Sequence, residues 1–452
     1  MQRKIWLILA VTGLTACGGG GGSGGGNSAP AEPYTGTLTG TLVAPNGSTP
    51  IAGATLHISE NDARIAIDAR AAVAQDCPAP DNASEWTCSG ADGQFSFEVT
   101  DLPPGSVLHA RKGAWSLTHT LALNGSNPGQ LGPVAFDNDT AAGAARIAVV
   151  TGDYDRIEDL LAKMGMGEIG SSGLAARSAA VLTHGHRHVH SPVTRSSLLA
   201  APASLEDCQA IEDPTELCDC LQQELGEDFP CDLSGGDGLE LGTETFDLYD
   251  GNGVLPTSYP DVTELFASQD GQPRLFGYDI VYVNCGADLP DNVNWQTILQ
   301  QFVAEGGVLY ATDWASEWVE AFHGDVAPAL TSGDTLETLN ATVVDVALAD
   351  WLTNVTCAGD DCIDGTAVTL AGFLSGWHLL KPLDETSVTP LVRADVAAYG
   401  FPGETSALMT YQFSHGDGQV IYSSYHTEPL SHADGYLPQE RILEYLFFSQ
   451  TP

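Results

Sequence analysis

Two reactive side chains directly follow predicted strands in the carboxyl-terminal half of this 452-residue sequence. Cys285 follows a predicted strand at 278–284, and Asp313 follows another at 306–312. Ligands of open α/β sheets bind at the carboxyl ends of the strands, so both side chains fall where a site would form. Cys285 could act as a thiolate nucleophile, and Asp313 as a carboxylate nucleophile or general base. The structural alternatives are a small buried apolar residue for Cys285 and a helix N-cap for Asp313.

The elements that must position these side chains alternate between strand and helix. Hydrophobic periodicity predicts the strands 146–151, 245–249, 278–284 and 306–312, and helices at 154–164, 292–304, from 313 onward and at 438–448. A hairpin is predicted where two strands flank the turn His415–Gly418. Alternation of this kind predicts an α/β domain with an open, mostly parallel sheet covered by helices on both faces.

Three segments of this half resemble the class I glutamine amidotransferase-like fold, a flavodoxin-like α/β architecture: YDIVYVNCGAD, FVAEGGVLYATDW and GQVIYSSYHTEP. The resemblance covers residues 144–452, apart from an insertion at about 166–240. It implies that the family's nucleophilic cysteine belongs in the turn where this sequence has Thr312-Asp313-Trp314. It also implies that His426 and Glu428 are the base and its orienting acid, and that Cys285 lies on the oxyanion-hole loop.

Two hypotheses for this domain follow from the lack of the family's nucleophilic cysteine. We expect a non-catalytic binding or interaction module, because the position at 312–314 holds no cysteine. The alternative is a hydrolase that uses His426 with Asp313 or Cys285. The candidate catalytic residues are therefore Cys285, Thr312, Asp313, His426 and Glu428.

Residues 34–140 carry short alternating strands separated by Gly, Pro and Asn turns, which predicts an antiparallel β-sandwich. The ordered motifs G-x-[LV], P-x-x-G-A-x-[LV], D-G-x-F-x-F and L-P-P-G resemble the carboxypeptidase-regulatory-like, transthyretin-like domains. That resemblance implies a spacer or binding module without catalytic residues, and we find no acid–base or metal constellation in this region. The protein is therefore expected to be multidomain, with the sandwich preceding the α/β domain.

The amino-terminal segment 1–16 has the features of a signal peptide, with Arg3 and Lys4 ahead of a short apolar run. It ends in Leu14-Thr15-Ala16-Cys17, which resembles the lipobox of bacterial lipoproteins and implies lipidation of Cys17. The Gly-rich residues 17–33 then form a flexible tether. We expect a bacterial cell-envelope protein anchored through lipid, in the outer membrane because Gly18 follows the cysteine, and either periplasmic or surface-exposed.

The other nine cysteines suit an exported protein, in which disulfides persist. Local pairs are expected between Cys77 and Cys88 and between Cys357 and Cys362. Cys285 is left unpaired. Four clustered cysteines allow two favoured disulfide pairings, 208–218 with 220–231 or 208–220 with 218–231, and a zinc site is the alternative: Cys208, Cys218, Cys220 and Cys231.

Two further segments contain residues that could bind metal ions, although we expect no cofactor. The insertion contains four alternate histidines that could bind zinc or copper adventitiously: His184, His186, His188 and His190. Residues 247–253 are acidic enough for weak calcium binding but lack EF-hand spacing. The histidine stretch leaves a metal-binding lipoprotein as a third hypothesis.

The charge balance limits the partners. The chain has 16 Lys+Arg against 59 Asp+Glu and a formal net charge of −43. Nucleic-acid binding is excluded, because it depends on clustered basic residues. A hydrophobic content of 43% is normal for a globular protein. The expected partners are the membrane, reached through the lipid on Cys17, and an envelope protein, a glycan or a small-molecule ligand.

Overall fold

The computed structural model describes residues 33–59, 77, 86–123, 129–170, 238–253, 255–269, 271–355, 365–427 and 436–449. Several predicted features lie outside these residues. They are the signal peptide and most of the tether, the histidines 184–190, Glu428, and the cysteines Cys17, Cys208, Cys218, Cys220, Cys231, Cys357 and Cys362. No helix in the described ranges is long and apolar enough to cross a membrane.

The amino-terminal region is built from strands. They are β1 (Tyr34–Val43), β2 (Thr55–Ser59), β3 (Trp86–Cys88), β4 (Gln94–Leu102), β5 (Val107–Lys112), β6 (Trp115–Thr120) and β7 (Gln130–Ala135). One sheet has the order β4-β1-β7 and the other β3-β2-β5-β6. The prediction of antiparallel strands holds for every pairing except that of β1 with β7, which is parallel. In β4, buried Phe95, Phe97 and Val99 alternate with exposed residues, as expected for a strand with one face on a core.

A disulfide joins Cys77 to Cys88, whose Cα atoms lie 6.0 Å apart. The free cysteine of the described ranges is Cys285, and its side chain is buried.

The carboxyl-terminal region contains a large mixed sheet. Its strands and their short neighbours are β8 (Ile147–Val150), β9 (Ile169–Gly170), β10 (Gly238–Leu239), β11 (Asp247–Tyr249), β12 (Ser268–Gln269), β13 (Gln272–Pro273), β14 (Ile280–Val283), β15 (Val308–Thr312), β16 (Leu336–Val343), β17 (Ala367–Phe373), β18 (Thr389–Ala394), β19 (Ala407–His415) and β20 (Gly418–Ser423). Among the described residues, nine strands form one sheet in the order β11-β8-β14-β15-β20-β19-β18-β16-β17.

The prediction of a mostly parallel sheet holds for half of this sheet and is wrong for the other half. The five strands from β11 to β20 are parallel, whereas β20, β19, β18, β16 and β17 pair antiparallel. The parallel strands β8, β14 and β15 are buried at every residue, as expected where both faces are covered. β16 instead alternates between buried and exposed residues over its second half, which suits an antiparallel strand with one solvent-facing side.

Five α-helices lie in the described part of the chain: α1 (Ile157–Leu161), α2 (Trp295–Ala304), α3 (Ser316–Val319), α4 (Val346–Asn354) and α5 (Pro438–Ser449). The helices predicted at 154–164, 292–304 and 438–448 are confirmed, the first two with shorter bounds. The helix predicted from 313 onward begins as a 3-10 turn at Asp313–Ala315 and continues as α3. The predicted hairpin is also confirmed, since β19 and β20 pair across His415–Gly418.

The last helix packs against the amino-terminal sheets. The ring of Trp115 lies 5.3 Å from that of Phe447 and 5.2 Å from that of Phe448, measured between centroids. The indole N–H of Trp351 in α4 donates a 3.0 Å hydrogen bond to the Pro50 carbonyl. One cluster of buried apolar residues therefore contains side chains from both regions.

Candidate functional site

The structure brings four of the five predicted site residues together. Cys285, Thr312–Asp313 and His426 lie at or just beyond the carboxyl ends of β14, β15 and β20, which are adjacent parallel strands. All four side chains are buried, with Cys285 1%, Asp313 2% and His426 5% exposed. The fifth residue, Glu428, lies outside the described residues.

Asp313 sits in the turn between β15 and α3 with φ of +43°. A residue other than glycine rarely adopts this left-handed conformation, and it persists only where the surroundings enforce it. Here Asp313 Oδ1 accepts a 2.6 Å hydrogen bond from the His378 backbone N–H. The Tyr422 hydroxyl donates to the carbonyl oxygens of both Asp313 and His378, each at 3.0 Å.

These contacts correct the N-cap interpretation of Asp313. The N-cap position of the 3-10 turn is Thr312, and its side chain makes no capping bond. The Asp313 carboxylate is directed instead at His378, Cys285 and His426. Its role is therefore to join three strand ends and a loop.

Cys285 is held as a neutral thiol. Burial, together with the neighbouring Asp313 carboxylate, raises the pKa of Cys285 well above its usual value, although a backbone hydrogen bond from Trp314 opposes the shift. Its Sγ donates to Asp313 Oδ2 at 3.6 Å, and its backbone N–H donates to Thr312 Oγ1 at 3.0 Å. Nucleophilic cysteines need a stabilised thiolate, so this environment works against that role.

His426 completes the cluster from the end of β20. Its Nδ1 lies 3.6 Å from Asp313 Oδ2, on the carboxylate oxygen that also faces Cys285. One donor atom each from Cys285, Asp313 and His426 lies within 4.8 Å of the other two. A thiol, a carboxylate and an imidazole therefore converge on one small buried volume.

Asp155, which the sequence patterns did not identify, stabilises this cluster through hydrogen bonds with Thr312 and Thr427, the neighbours of Asp313 and His426. It is fully buried and accepts hydrogen bonds from the Thr427 backbone N–H at 2.8 Å, from the Arg156 N–H at 2.9 Å, and from the hydroxyls of Thr312 and Thr427. Burial raises the pKa of Asp155, while His426 and the two threonines oppose that shift. Its only sequence signal was its position shortly after strand β8.

A loop between β17 and β18 brings a second histidine to the site. His378 Nδ1 lies 2.8 Å from Ser316 Oγ, and the Trp314 indole N–H donates to the Gly376 carbonyl at 2.9 Å. Burial lowers the pKa of His378, and the Asp313 carboxylate opposes this. The loop has no hydrophobic periodicity, so the sequence patterns did not identify it.

A separate cavity of about 720 Å³ opens near the amino ends of β8, β11 and β14. Its lining includes Tyr249, Tyr259 and Tyr278 with the charged side chains Arg146 and Asp247. The Tyr278 hydroxyl donates to Asp247 at 2.7 Å and lies 2.9 Å from the Tyr249 hydroxyl. Because the strands are parallel, this cavity lies at the opposite edge of the sheet from the cluster.

The segment proposed for calcium lies beside this cavity. Asp250 Oδ1 accepts backbone N–H groups within its own turn, the shortest from Gly253 at 2.9 Å. Asp247 is engaged by Tyr278.

No family model and no curated protein matches this chain. Solved structures with partial likeness include a ThuA-like protein from Bacteroides uniformis, with 11% identity, TM-score 0.25, and coverage of 38% of this chain and 69% of the other. A GMP synthase component from Thermoplasma acidophilum has 8% identity, TM-score 0.27, and coverage of 45% and 79%. A β-galactosidase from Bacillus circulans has 12% identity, TM-score 0.22, and coverage of 38% and 22%. At these scores the likenesses carry no functional argument.

Proposed function

We propose that the protein is a lipid-anchored binding module of the bacterial cell envelope, with an amidotransferase-like domain that has lost glutaminase chemistry. The observation that carries the proposal is Asp313. It occupies the turn after β15, where the resemblance places the nucleophilic cysteine, and it is buried and bonded to His378. A carboxylate in that position cannot form the thioester on which glutaminase chemistry depends.

The state of Cys285 supports the same conclusion. Among the described residues it is the free cysteine, and it lies beside Asp313, but burial and Asp313 keep its pKa high. A neutral thiol that is 1% exposed is a poor nucleophile and is out of reach of a bulky substrate. For residues 34–135, which form the sheets β4-β1-β7 and β3-β2-β5-β6, the resemblance to transthyretin-like domains leads us to propose a second binding module without catalytic residues.

As the ligand site we propose the cavity near the amino ends of β8, β11 and β14, which is the sheet edge opposite the carboxyl ends where ligands of open α/β sheets usually bind, because the residues at the carboxyl ends are buried. Its volume of about 720 Å³ lies in the usual range for small-molecule sites. Tyrosine rings supply apolar faces. The hydroxyls and Asp247 are bonded to one another and Arg146 pairs with Asp279 at 2.8 Å, so a ligand would use their remaining donor and acceptor positions. This mixture suits a glycan fragment or a polar small molecule.

Two measurements on full-length protein in detergent test the proposal. A panel of amides and esters should show no turnover that depends on His426. Turnover that disappears in His426→Ala would contradict the binding-module assignment. A glycan and small-molecule binding screen should give hits that Tyr278→Ala weakens, with the exposed Trp86→Ala as the matched control.

A hydrolase remains the second candidate, because Asp313 holds a left-handed backbone at a strand-to-helix turn. Strained turns of this type present nucleophiles in α/β hydrolases. In that case Asp313→Asn and His426→Ala would abolish turnover, whereas Cys285→Ser would retain it. Loss of turnover in Cys285→Ser would assign the nucleophile to the cysteine instead.

A further inference from the structure

We propose that Cys285, Asp313 and His426 form a binding site for a divalent transition metal, with zinc as the best-fitting ion. The proposal concerns the buried cluster and depends on neither the lipid anchor nor the cavity. It differs from adventitious binding at the histidine stretch, because its three ligands come from three adjacent strand ends.

The spacing of the donor atoms suits a tetrahedral ion. Zinc binds sulfur at about 2.3 Å and nitrogen or oxygen at about 2.0–2.2 Å, which places neighbouring ligand atoms about 3.3–3.6 Å apart. Cys285 Sγ and His426 Nδ1 each lie 3.6 Å from Asp313 Oδ2. The third separation, between Cys285 Sγ and the His426 ring nitrogen, is within 4.8 Å, so the ion would have to draw these two atoms together by up to about 1.2 Å to reach tetrahedral spacing.

The donor types also suit zinc. A thiolate and an imidazole favour zinc over calcium or magnesium, and a carboxylate is an accepted third ligand. Binding of the ion would displace the proton of the Cys285 thiol to solvent. With Cys285 and Asp313 then ionised and His426 neutral, the ligand charge of −2 balances a divalent cation. That balance offsets the cost of burying a carboxylate that is 2% exposed.

The neighbouring contacts hold the ligands in place before any ion arrives. The Asp313 oxygen that does not face the cluster accepts from His378, and Tyr422 anchors the Asp313 backbone. The backbone of Cys285 is bonded to Thr312, whose hydroxyl donates to Asp155. Such supporting bonds orient metal ligands and typically affect affinity about 10–100-fold. Three protein ligands leave the fourth tetrahedral position open.

The test uses full-length protein, stripped of metal, in which His184, His186, His188 and His190 are replaced by alanine. Titration with Co²⁺ should show about one ion per chain, thiolate-to-cobalt charge-transfer absorption, and displacement by Zn²⁺. The cysteines of the 208–231 cluster could also supply thiolates, so the decisive comparison is Cys285→Ser in the same background. That variant should lose the charge-transfer absorption.

Asp313→Asn and His426→Gln each remove a direct ligand, so each should weaken Co²⁺ binding by more than the roughly 10–100-fold that loss of a supporting bond costs. The matched control is His415→Gln, because His415 also faces an aspartate, Asp325, at 3.2 Å, but on the exposed hairpin. It should leave binding unchanged. Absence of thiolate absorption in the folded parent protein would overturn the proposal, as would its persistence at the full intensity of the parent in Cys285→Ser. The measurement on the parent protein needs no site variant, so it tests the proposal even if a variant fails to fold. Neither result bears on the turnover panel, so this proposal and the binding-module assignment can fail separately.

Discussion

At the residue scale, Asp313 combines a strained backbone with a buried carboxylate. Its φ of +43° is enforced by hydrogen bonds from His378 and Tyr422. Strain of this kind costs about 1–3 kcal/mol, which the surrounding contacts must offset. The position is therefore expected to be sensitive to the choice of replacement.

We predict that Asp313→Ala is less stable than Asp313→Asn by about 1–3 kcal/mol. Asparagine tolerates the left-handed conformation and keeps an acceptor for the His378 N–H, whereas alanine does neither. Both variants remove the charge, so the comparison isolates the acceptor and the backbone preference. Urea unfolding measures the difference, and equal stability would show that the His378 bond contributes nothing.

A second residue-scale prediction concerns His57, which pairs with His109 across β2 and β5 with ring centroids 4.8 Å apart. Burial, and then the neighbouring His109, lowers the pKa of His57 from 6.5 to about 4. The folded state therefore binds fewer protons than the unfolded state between these values. Stability present above pH 6.5 should fall as the pH drops toward 4. His57→Gln should flatten this dependence in urea unfolding series, and an unchanged slope would contradict the account.

At the element scale, α5 connects the large sheet to the amino-terminal strands. Trp115 of β6 is fully buried against Phe447 and Phe448 of α5. Lys163, beyond α1, pairs with Glu440 of α5 at 2.9 Å, and both side chains are buried. These contacts predict that the two regions unfold together.

Trp115→Ala should lower the free energy of unfolding by about 3–5 kcal/mol, as expected for a large buried aromatic side chain. The matched control is Trp86→Ala on β3, where the ring is 41% exposed and the change should stay within about 0.5 kcal/mol. Calorimetry should show one transition that moves as a whole in Trp115→Ala. A shift confined to one of two separate transitions would contradict a shared core.

The sequence patterns located the elements that carry clear periodicity. Cys285 and Asp313 were predictable because buried β-branched runs end just before them. His378 was not, because it lies in an irregular segment where no period marks the direction of a side chain. Asp155 was not, because it falls in the helix predicted at 154–164, which begins only at Ile157. Of the antiparallel half of the sheet only the hairpin of β19 and β20 was predicted, since strand residues specify burial more strongly than pairing direction. The packing of Trp115 on α5 joins residues more than 300 positions apart, which local patterns do not encode.

At the scale of the whole molecule, the net charge of −43 and the lipobox-like leader both fit the proposed lipid anchor. Cleavage before Cys17 would remove Arg3 and Lys4 and make the mature chain more acidic still. An acidic body is repelled by anionic headgroups, so a lipid on Cys17 and the glycine tether would hold it near the membrane but away from its surface.

We predict that an alkyne-modified palmitate is incorporated into the protein in cells and that Cys17→Ser abolishes the label. The protein should then leave the membrane fraction, because Cys17 is the proposed site of lipid attachment. Cys285→Ser serves as the control and should keep both the label and the membrane association. Membrane association that survives Cys17→Ser would rule out the lipid anchor as its cause.

The claim that this site does not use a nucleophilic cysteine is tested most directly by alkylation of Cys285. Iodoacetamide at pH 6, followed by mass spectrometry of the peptide containing residue 285, gives the rate in the native and the urea-unfolded protein. We predict almost no modification of the native protein, because the thiol is buried and its pKa is raised, and full modification after unfolding. Native alkylation much faster than that of a free thiol would contradict the account and assign Cys285 an activated, catalytic role.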